Sequence, residues 1–449
     1  MGILDIFHKK TFRHGVHPPE HKAETAALPI RRLPFPPRYV LPLAQHIGKP
    51  AVPRVRVGQE VVRGEPIADA DGFLSVPIHA PVTGRVEEID AMPTARGPKM
   101  ESIVLRADPA SDQQVLWGRE QDPEELSREE LVTAVQATGL VGLGGAAFPS
   151  HAKLVIPEGH EVDTLVVNGC ECEPYLTTDH RVMLERTEAL FRGIRIVLRA
   201  LGAERAVIGI EDNKPDAIAV LEQRAAGEPD IDVTAVDAKY PQGSERILVT
   251  TLLGREIPSG GHAYDAGVVV NNVGTLAALG ELLPRGEGLV ERVITVAGPG
   301  VEHPGNYIVP IGTPLRYLLE HVGYTGEAHR VILGGPMMGT SVASLDVPVT
   351  KGTSGLVVLA ETAFQEPDRT YPCIQCGKCV EACPMHLNPS QLGRLAAKRQ
   401  YEAMEERFHL NDCFECGSCA FVCPANIPLV QYFRIAKALN RERKEEEAA

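Results

Sequence analysis

Two cysteine runs near the end of the chain have the spacing of iron–sulfur ligands. The segments CIQCGKCVEACP and CFECGSCAFVCP share the pattern CxxCxxCxxxCP. In this pattern three closely spaced thiolates bind three irons of one iron–sulfur cube, and the fourth belongs to the neighbouring cube. The spacing predicts two 4Fe–4S clusters, one held by Cys373, Cys376, Cys379 and Cys423 and the other by Cys383, Cys413, Cys416 and Cys419. Structural zinc is the alternative, but zinc sites favour two CxxC pairs separated by a longer loop.

The other two cysteines, Cys170 and Cys172, form a CxC pair. Without further thiols or a close histidine, such a pair is more often packed in the interior than bound to metal. Eight of the ten cysteines lie between Cys373 and Cys423. Clustered thiols in a long chain indicate metal ligation in a reducing compartment rather than a disulfide scaffold.

A glycine-rich segment, GLVGLGGAAFP, contains Gly142 and Gly144 and is followed by Lys153. It follows a predicted helix and runs into Phe148–Pro149, so it does not have the strand–turn–helix setting of a dinucleotide fingerprint. Glycines still allow a flat cofactor or a phosphate to approach the backbone, and Lys153 could meet an anion. A plain tight connection is the alternative.

An acidic segment, NGCECEPYLTTDHR, follows the predicted strand DTLVVN and presents Asn168, Glu171, Glu173 and Asp179. The Asn168 amide can donate to and accept from the edge of a heterocycle. A carboxylate at such a site can orient an amide group. On composition alone, a solvated acidic loop is the favoured alternative.

Helices and strands alternate between residues 120 and 290, which predicts a mostly parallel sheet covered on both faces. LSREELVTAVQAT reads as a helix capped by Ser127 and Glu130, and HRVMLERTEALFRGIRIVLRALG as one long helix ending at Gly202. The strands are DTLVVN, AVIGIED, DVTAVD and GVVVNN. Ligands gather at the carboxyl ends of such strands, where the acidic segment and Asn271–Thr275 are placed.

The fold class is therefore a multidomain α/β chain. VGQEVVRGEPIA and IHAPVTGRVEEI resemble the barrel-sandwich of biotinyl and lipoyl carriers, but no Lys for attachment lies between Lys49 and Lys99. The predicted units are an extended arm that lies on a neighbouring unit (1–38), a barrel-sandwich β domain (39–110), the parallel-sheet α/β domain (120–290), a β-grasp unit with a helix near 314–322 (291–360), an α-helical two-cluster ferredoxin-like domain (361–440) and a frayed charged tail (441–449).

Charge and hydropathy argue against nucleic-acid binding and against a membrane-spanning segment. Lys and Arg number 45 against 59 Asp and Glu, a net charge of −14, so nucleic acid is not an expected ligand. No run reaches the ~18 apolar residues that span a bilayer, and the first residues do not form a secretory signal. Any membrane association is expected to come from partners.

Four segments, GLVGLGGAAFPSHAK, VNGCECEP, YPQGSE and NNVGT, occur in this order in the flavoprotein subunit of respiratory complex I and its relatives. That resemblance covers about residues 130–440. With the HGVHPPEHK arm, the carrier-like domain and the double cysteine module added, the whole chain resembles the RnfC (RsxC) family, peripheral subunits of Rnf electron-transport complexes.

The resemblance implies an FMN- and NADH-binding role for the α/β domain. It would place around FMN the residues Gly142, Gly144, Lys153, Asn168, Gly243, Asn271, Asn272 and Thr275. Glu171 is also predicted to bind a cofactor. Glu173, Tyr240 and Glu245 would position the nicotinamide nucleotide. Leu143, Cys170 and Ser244 depart from the complex I pattern, which has Arg, Asp and often Glu there.

The resemblance also implies the activity: NADH reduces FMN, and two clusters carry single electrons to partner subunits and onward to ferredoxin, coupled to ion movement. No side chain needs to act as a nucleophile or strong acid. The chain would be a peripheral subunit on the cytoplasmic face of a bacterial inner membrane. The alternatives are a soluble corrinoid reductase, whose relatives tend to lack the N-terminal arm and barrel-sandwich, and a non-enzymatic electron-relay scaffold.

Overall fold

The computed structural model describes residues 10–95, 97–324, 326, 328–360 and 369–448. Residues 1–9 of the predicted arm, 361–368 of the predicted ferredoxin-like domain and residue 449 of the predicted tail lie outside the described residues. The described chain contains the predicted mixture of β-sandwich, parallel-sheet, β-grasp and helical units, so the fold class is confirmed.

The barrel-sandwich consists of two antiparallel sheets. One has the strand order Arg38–Pro42, Met100–Ala107, Gly84–Met92, Glu60–Val61, and the other the order Val52–Pro53, Pro66–Asp69, Ile78–His79. Alternate residues such as Leu41, Val61 and Ile103 point inward and are almost fully buried. Burial of these branched side chains between two small sheets is what holds a sandwich together.

The central sheet is parallel throughout. Its strand order is Ile231–Val236, Arg205–Glu211, Thr164–Gly169, Val268–Asn272. Asn168 pairs with Gly209 on one side and with Asn272 on the other, so the carboxyl ends of these strands are level. The register therefore brings the acidic segment and the Asn271–Thr275 segment to one edge, as the sequence predicts.

Helices cover both faces of this sheet. Leu165 and Val167 pack towards one hydrophobic cluster, whereas Val166 packs towards another that includes Leu248. The second cluster is covered by helix Glu245–Leu253, and the remaining helices of this unit are Arg128–Ala137, Thr178–Glu185, Thr187–Leu201, Pro215–Ala225 and Val273–Arg285. Among the described residues, the short 3-10 helices Ser150–Leu154, Ala263–Ala266 and Leu410–Asp412 lie in connections.

The predicted capping box is present: Ser127 Oγ accepts from Glu130 N, and Glu130 Oε2 accepts from Ser127 N. The prediction of a single long helix before Gly202 is wrong. The helix is interrupted at Arg186 (φ −126°, ψ 32°), which separates helix Thr178–Glu185 from helix Thr187–Leu201. The break lets the first helix contact Pro215–Ala225 while the second lies along Val273–Arg285. Gly202 ends the second helix with φ 67°, as predicted.

The β-grasp unit is built on a six-stranded sheet of order Arg31–Arg32, Gly305–Pro310, Glu291–Ala297, Gly355–Ala360, Ala328–Leu333, Thr340–Ser341, with helix Leu315–His321 packed on it. Its edge strand Arg31–Arg32 comes from the N-terminal arm. The arm is not wholly extended, because it also forms helix Ala23–Ala26. It lies across other domains of the same chain, pairing at Lys10 with Val236 and at Val16 with Tyr240.

The cysteine module consists of helices Lys378–Glu381, Pro389–Ala397, Tyr401–Glu406, Ser418–Phe421 and Leu429–Ala448. The prediction of a frayed tail is wrong, since the last helix continues through residue 448. Ion pairs connect that helix to helix Tyr401–Glu406: Arg443 Nη1 lies 2.8 Å from Glu402 Oε1, and Lys444 Nζ lies 2.5 Å from Glu405 Oε1. Among the described residues, no helix has the length and apolar character needed to cross a membrane.

Lys351, from the β-grasp unit, fastens three parts of the chain together. Its Nζ donates to Pro77 O at 2.6 Å and to Gly139 O at 2.7 Å, and its backbone N donates to Gln45 Oε1 at 3.1 Å. The side chain is fully buried, which disfavours the ammonium form and lowers the pKa of Lys351 to about 7. This buried amine holds the barrel-sandwich against the segment that enters the glycine loop.

We predict that Gly193→Ala lowers the thermal unfolding midpoint. A Cβ at Gly193 would lie 1.9 Å from Leu276 O, so helices Thr187–Leu201 and Val273–Arg285 would have to separate. Overpacking of this kind costs about 1–3 kcal/mol, which is a shift of several degrees. Gly227→Ala is the matched control, because a Cβ there meets no atom within 4 Å. Equal midpoints for the two variants by calorimetry would contradict the close packing.

We also predict a pH dependence that arises from Lys351. Its pKa is lowered in the folded chain, so between about pH 7 and its unfolded pKa of 10.5 the unfolded state binds more protons. The stability that the folded chain gains from holding Lys351 as a neutral amine is present at high pH and is lost as the pH falls towards 7. The unfolding midpoint of Lys351→Met, followed from pH 7 to 9, should rise less than that of the wild type. Lys49→Met, at a side chain 70% exposed, should follow the wild type; a Lys351→Met profile parallel to wild type would refute the assignment.

Candidate functional site

The glycine loop lies against the start of helix Val273–Arg285. Gly142 N donates to Phe148 O at 2.8 Å, and Leu143 N donates to Thr275 Oγ1 at 2.8 Å. A Cβ at Gly144 would lie 3.4 Å from the Asn272 side chain, whereas one at Gly145 (φ +110°) would meet no atom within 4 Å. The loop is therefore anchored on the helix on one side and exposes backbone to open space on the other.

Asn272 joins this helix to the acidic segment. Its Oδ1 accepts from Thr275 N at 3.2 Å and so caps the helix, while its Nδ2 donates to Asp179 Oδ2 at 2.6 Å. Burial and the neighbouring Glu171 carboxylate raise the pKa of Asp179 to about 7. Asn271, beside it on the strand, is buried. Three residues predicted for one ligand, Asn271, Asn272 and Thr275, thus lie together at the sheet edge.

Side chains of the acidic segment form hydrogen bonds with nearby backbone groups. Asn168 Nδ2 donates to Gly243 O at 2.8 Å, and Asn168 Oδ1 accepts from Cys170 N at 3.0 Å. Glu171 accepts from Asp179 N at 3.0 Å and from His180 N at 3.3 Å. A Cβ at Gly243 would lie 2.3 Å from Cys170 O, so that position requires glycine. The Asn168 amide and the Glu171 carboxylate therefore shape this segment.

Cys170 and Cys172 belong to this segment, and Cys170 is buried whereas Cys172 is half-buried. Cys170 Sγ donates to Gly209 O at 3.5 Å and packs among Val166 and Leu248, and Cys172 packs near Tyr240. Burial raises the pKa of both thiols. In the part of the chain that the structure describes, no three His, Cys, Asp or Glu side chains are grouped for a single metal ion.

Lys22 of the N-terminal arm binds the acidic segment from outside. Its Nζ donates to Glu171 O and Glu173 O, both at 2.8 Å, and to Leu176 O. Burial lowers the pKa of Lys22, against the opposing effect of the Glu171 carboxylate. Sequence reasoning missed Lys22, since only the fold brings residue 22 next to residues 171–176.

Glu173 connects the acidic segment to the loop GGPMMG of the β-grasp unit. Its carboxylate accepts from Met337 N at 3.0 Å and from Met338 N at 2.8 Å. Burial raises the pKa of Glu173 to about 7 although these two donors act in the opposite direction. The predicted nucleotide-placing carboxylate is thus bound to the backbone of a neighbouring domain.

Lys153 and Glu245 form a partly exposed ion pair at the sheet edge, with 3.1 Å between Nζ and Oε2. Lys153 Nζ also donates to Val270 O at 2.8 Å. These two contacts hold the ammonium beside strand Val268–Asn272. It is therefore positioned beside the strand that ends in Asn271 and Asn272.

Arg292 supports the glycine loop and was also missed by sequence reasoning. Its Nη2 donates to Leu143 O at 2.9 Å, and its Nη1 donates to Lys351 O. Burial lowers the pKa of Arg292 to about 10, and Asp179 opposes that effect. Arg292 directly precedes the mainly apolar run VITVA within the strand ERVITVA, and a charged residue in that position is the signal that could have identified it.

Tyr240 is buried, with 1% of its surface exposed, and its hydroxyl donates to Cys416 O at 2.5 Å. The peptide bond between Tyr240 and Pro241 is cis. The predicted nucleotide-placing tyrosine therefore joins the α/β domain to the cysteine module. Although Tyr240 is one of the predicted cofactor-binding residues, its hydroxyl contacts the backbone of Cys416 and not the open glycine loop.

The eight clustered cysteines surround two cavities. One is lined by Cys373, Cys376, Cys379 and Cys423 together with Tyr371 and Ile374. The other is lined by Cys383, Cys413, Cys416 and Cys419. Gly377 and Gly417 begin the short helices of the two runs with φ of 80° and 86°. Two sets of four soft thiolate donors, each around its own cavity, fit two iron–sulfur cubes.

The glycine-loop region fits a flavin mononucleotide. The backbone at Gly145 faces open space, an ammonium stands at Lys153, and the uncharged amides of Asn271 and Asn272 lie at the adjacent strand end. These groups suit a planar ring system with a phosphate, since they combine close backbone approach with a cation.

Four family models match the chain in order. They describe an RnfC barrel sandwich hybrid domain (residues 10–110), a Nuo51 FMN-binding domain (135–281), an SLBB domain (293–341) and a 4Fe-4S dicluster domain (372–427). Among solved structures, an NAD+-reducing [NiFe]-hydrogenase aligns over 69% of this chain and 62% of its own at 20% identity, with a TM-score of 0.48.

Curated relatives match nearly the whole chain. One, from the proton-translocating ferredoxin:NAD(+) oxidoreductase complex of Clostridium ljungdahlii, is 42% identical over 90% of this chain and 88% of its own. Its counterpart from the Na(+)-translocating complex of Acetobacterium woodii is 38% identical over 88% of this chain and 89% of its own. A third, from the ion-translocating oxidoreductase complex of Rhodobacter capsulatus, is 42% identical over 87% and 76%. The chain therefore belongs to the RnfC family, the C subunits of ion-translocating oxidoreductase complexes, and its cofactors are FMN and two 4Fe–4S clusters.

Proposed function

We propose that the chain is the electron-input subunit of a membrane-bound, ion-translocating complex, where it oxidises NADH and passes single electrons towards ferredoxin-linked partners. The observation that carries this proposal is the contact of an FMN-binding domain with a dicluster module in one chain, through Tyr240 and Cys416. The names of the relatives, which pair ferredoxin with NAD(+), support the two substrates.

The division of labour follows from the electron count. A nicotinamide gives up two electrons as a hydride and a 4Fe–4S cluster takes one, so FMN supplies the conversion between them. The residues of this chain bind and orient. Lys153 provides positive charge, the glycine loop provides open backbone, and Asn272 caps the helix beside them.

We assign the FMN cradle to the residues grouped at the sheet edge: Gly142, Gly144, Lys153, Asn168, Gly243, Asn271, Asn272 and Thr275. Glu171, Glu173 and Glu245 line the same region, in which Glu173 also fastens the β-grasp loop. Tyr240 supports the junction with the cysteine module. The cluster ligands are two sets, Cys373, Cys376, Cys379, Cys423 and Cys383, Cys413, Cys416, Cys419.

Membrane association is proposed to be peripheral, on the cytoplasmic face of a bacterial inner membrane and through partner subunits. The RnfC-type barrel sandwich ahead of the FMN domain favours this role over that of a soluble corrinoid reductase. The matched FMN domain favours it over an electron-relay scaffold without a flavin.

The first test is anaerobic analysis of the purified chain followed by NADH titration. We expect about eight iron and eight sulfide atoms with one FMN, and bleaching of the flavin absorbance by NADH. Dithionite is the control for a reducible flavin. A flavin that dithionite bleaches and NADH leaves oxidised would reject NADH entry at this subunit.

We further predict that Lys22→Met weakens FMN binding about tenfold. Its ammonium donates to three carbonyls of the acidic segment, and hydrogen bonds to charged groups are each worth about 1.5–3 kcal/mol. Loss of about 1.4 kcal/mol at the site is a tenfold change in affinity. FMN titration of the flavin-free protein, followed by flavin fluorescence, measures the change.

Lys49→Met is the matched control, because Lys49 is largely exposed and its only described ion pair, with Asp71, spans 3.6 Å. Lys22→Arg, which keeps the charge and donors, should recover part of the affinity. Wild-type affinity in Lys22→Met would show that the arm does not order the flavin site.

A further inference from the structure

Two carboxyl groups of the acidic segment lie next to each other. Glu171 Oε1 accepts from the backbone N of Asp179 at 3.0 Å, so the Glu171 carboxylate sits at the base of the Asp179 side chain. Glu171 is 7% exposed, and Asp179 is half-buried. Neighbouring carboxyl groups with little water around them do not both stay ionised, because each negative charge disfavours the other. The pair is therefore built to hold a proton.

Hydrogen bonds decide which of the two carboxyl groups holds that proton. Glu171 accepts from two backbone N–H groups at the start of helix Thr178–Glu185, those of Asp179 at 3.0 Å and His180 at 3.3 Å. Asp179 accepts one described hydrogen bond, from Asn272 Nδ2 at 2.6 Å. Each such donor stabilises the ionised form of its acceptor, so the proton belongs on Asp179. In agreement, burial and then the Glu171 carboxylate raise the pKa of Asp179 to about 7.

The charged and titratable groups that face this pair from other elements have partners of their own. They are Lys22, Cys170, His180 with Asp216, Lys214 with Glu211, and Arg292. Lys22 and Arg292 donate to backbone carbonyls, whereas Lys214 Nζ lies 2.5 Å from Glu211 Oε2 in a buried ion pair. Their charges are fixed by these contacts, which leaves Asp179 as the group that responds to a new charge nearby.

One amide connects Asp179 to the glycine loop. Asn272 Nδ2 donates to Asp179 Oδ2, and a Cβ at Gly144 would lie 3.4 Å from the same nitrogen. Asn272 Oδ1 accepts from Thr275 N at 3.2 Å, which fixes the orientation of the amide. The flavin site and Asp179 are therefore neighbours through Asn272. An amide carries no charge, so Asn272 cannot balance a charge that appears on the flavin.

We propose that Asp179 binds a proton when the flavin is reduced and releases it when the flavin is reoxidised; this rests on the proposed function, in which the flavin cycles between the two states. Hydride transfer from NADH yields NAD+ and a reduced flavin with one additional negative charge. That charge disfavours a second one on Asp179, so its carboxylate takes one proton from solvent. When two electrons have left singly for the clusters, the flavin and Asp179 have each released one proton. Overall, NADH gives NAD+, two electrons and one proton.

The first test follows the reduction potential of the flavin against pH. Dithionite and redox mediators set the potential, so NADH is not needed. Above about pH 7, where Asp179 is ionised in the oxidised chain, the wild type should bind two protons per two electrons. Asp179→Asn keeps an oxygen that can accept from Asn272 but should bind one proton, which halves the slope. Asp179→Glu should retain a steep slope.

Asp232→Asn is the matched control, because Asp232 is exposed on strand Ile231–Val236 of the same sheet. It should show the slope of the wild type. A wild-type slope of one proton per two electrons, or a slope in Asp179→Asn equal to that of the wild type, would overturn the proposal.

Infrared difference spectroscopy identifies the group that binds the proton. The spectrum of the reduced chain minus that of the oxidised chain, at about pH 8, should gain the C=O stretch of a carboxylic acid, because Asp179 is then ionised only in the oxidised chain. The band should shift in deuterium oxide and be absent in Asp179→Asn. Glu171→Gln removes the neighbouring charge and should lower the pH limit of the band by about one unit.

Should Asp179→Asn fail to bind FMN, the wild-type chain grown with carboxyl-labelled aspartate replaces it. A band that does not move with this label, or that persists in Asp179→Asn, would refute the assignment to Asp179. A flavin that dithionite reduces and NADH leaves oxidised would reject NADH entry, whereas the proton uptake would still be measured with dithionite. The two failures are therefore distinguishable.

Discussion

Hydrogen-bond donors from distant parts of the chain satisfy buried carbonyl groups around the carboxyl edge of the parallel sheet. The loops that leave this edge turn sharply and expose backbone oxygens to the interior, where an unpartnered polar group is costly. Lys22 supplies donors for the acidic segment, and Arg292 for Leu143. Lys351 does the same for Gly139 and Pro77. The site therefore depends on the arm and the β-grasp unit as much as on the sheet.

This arrangement explains why an electron-input subunit needs several domains around one small sheet. The sheet aligns Asn168 with Asn272 but leaves the loops beyond them unsupported. The neighbouring domains contribute charged or polar contacts, and burial of those contacts makes their geometry specific. Glu173 and Tyr240 extend the same principle to the β-grasp loop and to the cysteine module. Flavin and clusters are thereby held on one framework, which electron transfer over short distances requires.

Much of this was readable from the sequence, because the relevant physics is local. The CxxCxxCxxxCP spacing specifies a ligand type, the Ser127–Glu130 pair specifies a helix start, and Gly202 specifies a helix end. Strand and helix periodicity were enough to place Asn168 and Asn272 at one edge. The break at Arg186 and the helical tail were not readable, since a bend or an ordered end there depends on which helices lie alongside.

By itself, therefore, the sequence determined the chemistry: which donors are present, at what spacing, and on which kind of element. Only the tertiary structure decided which distant groups meet. Lys22 lies 149 residues from Glu171, whose carbonyl it binds, and Tyr240 lies 176 residues from Cys416. No local pattern encodes such pairs, because each forms only when packing of the apolar faces has fixed the relative positions of whole domains.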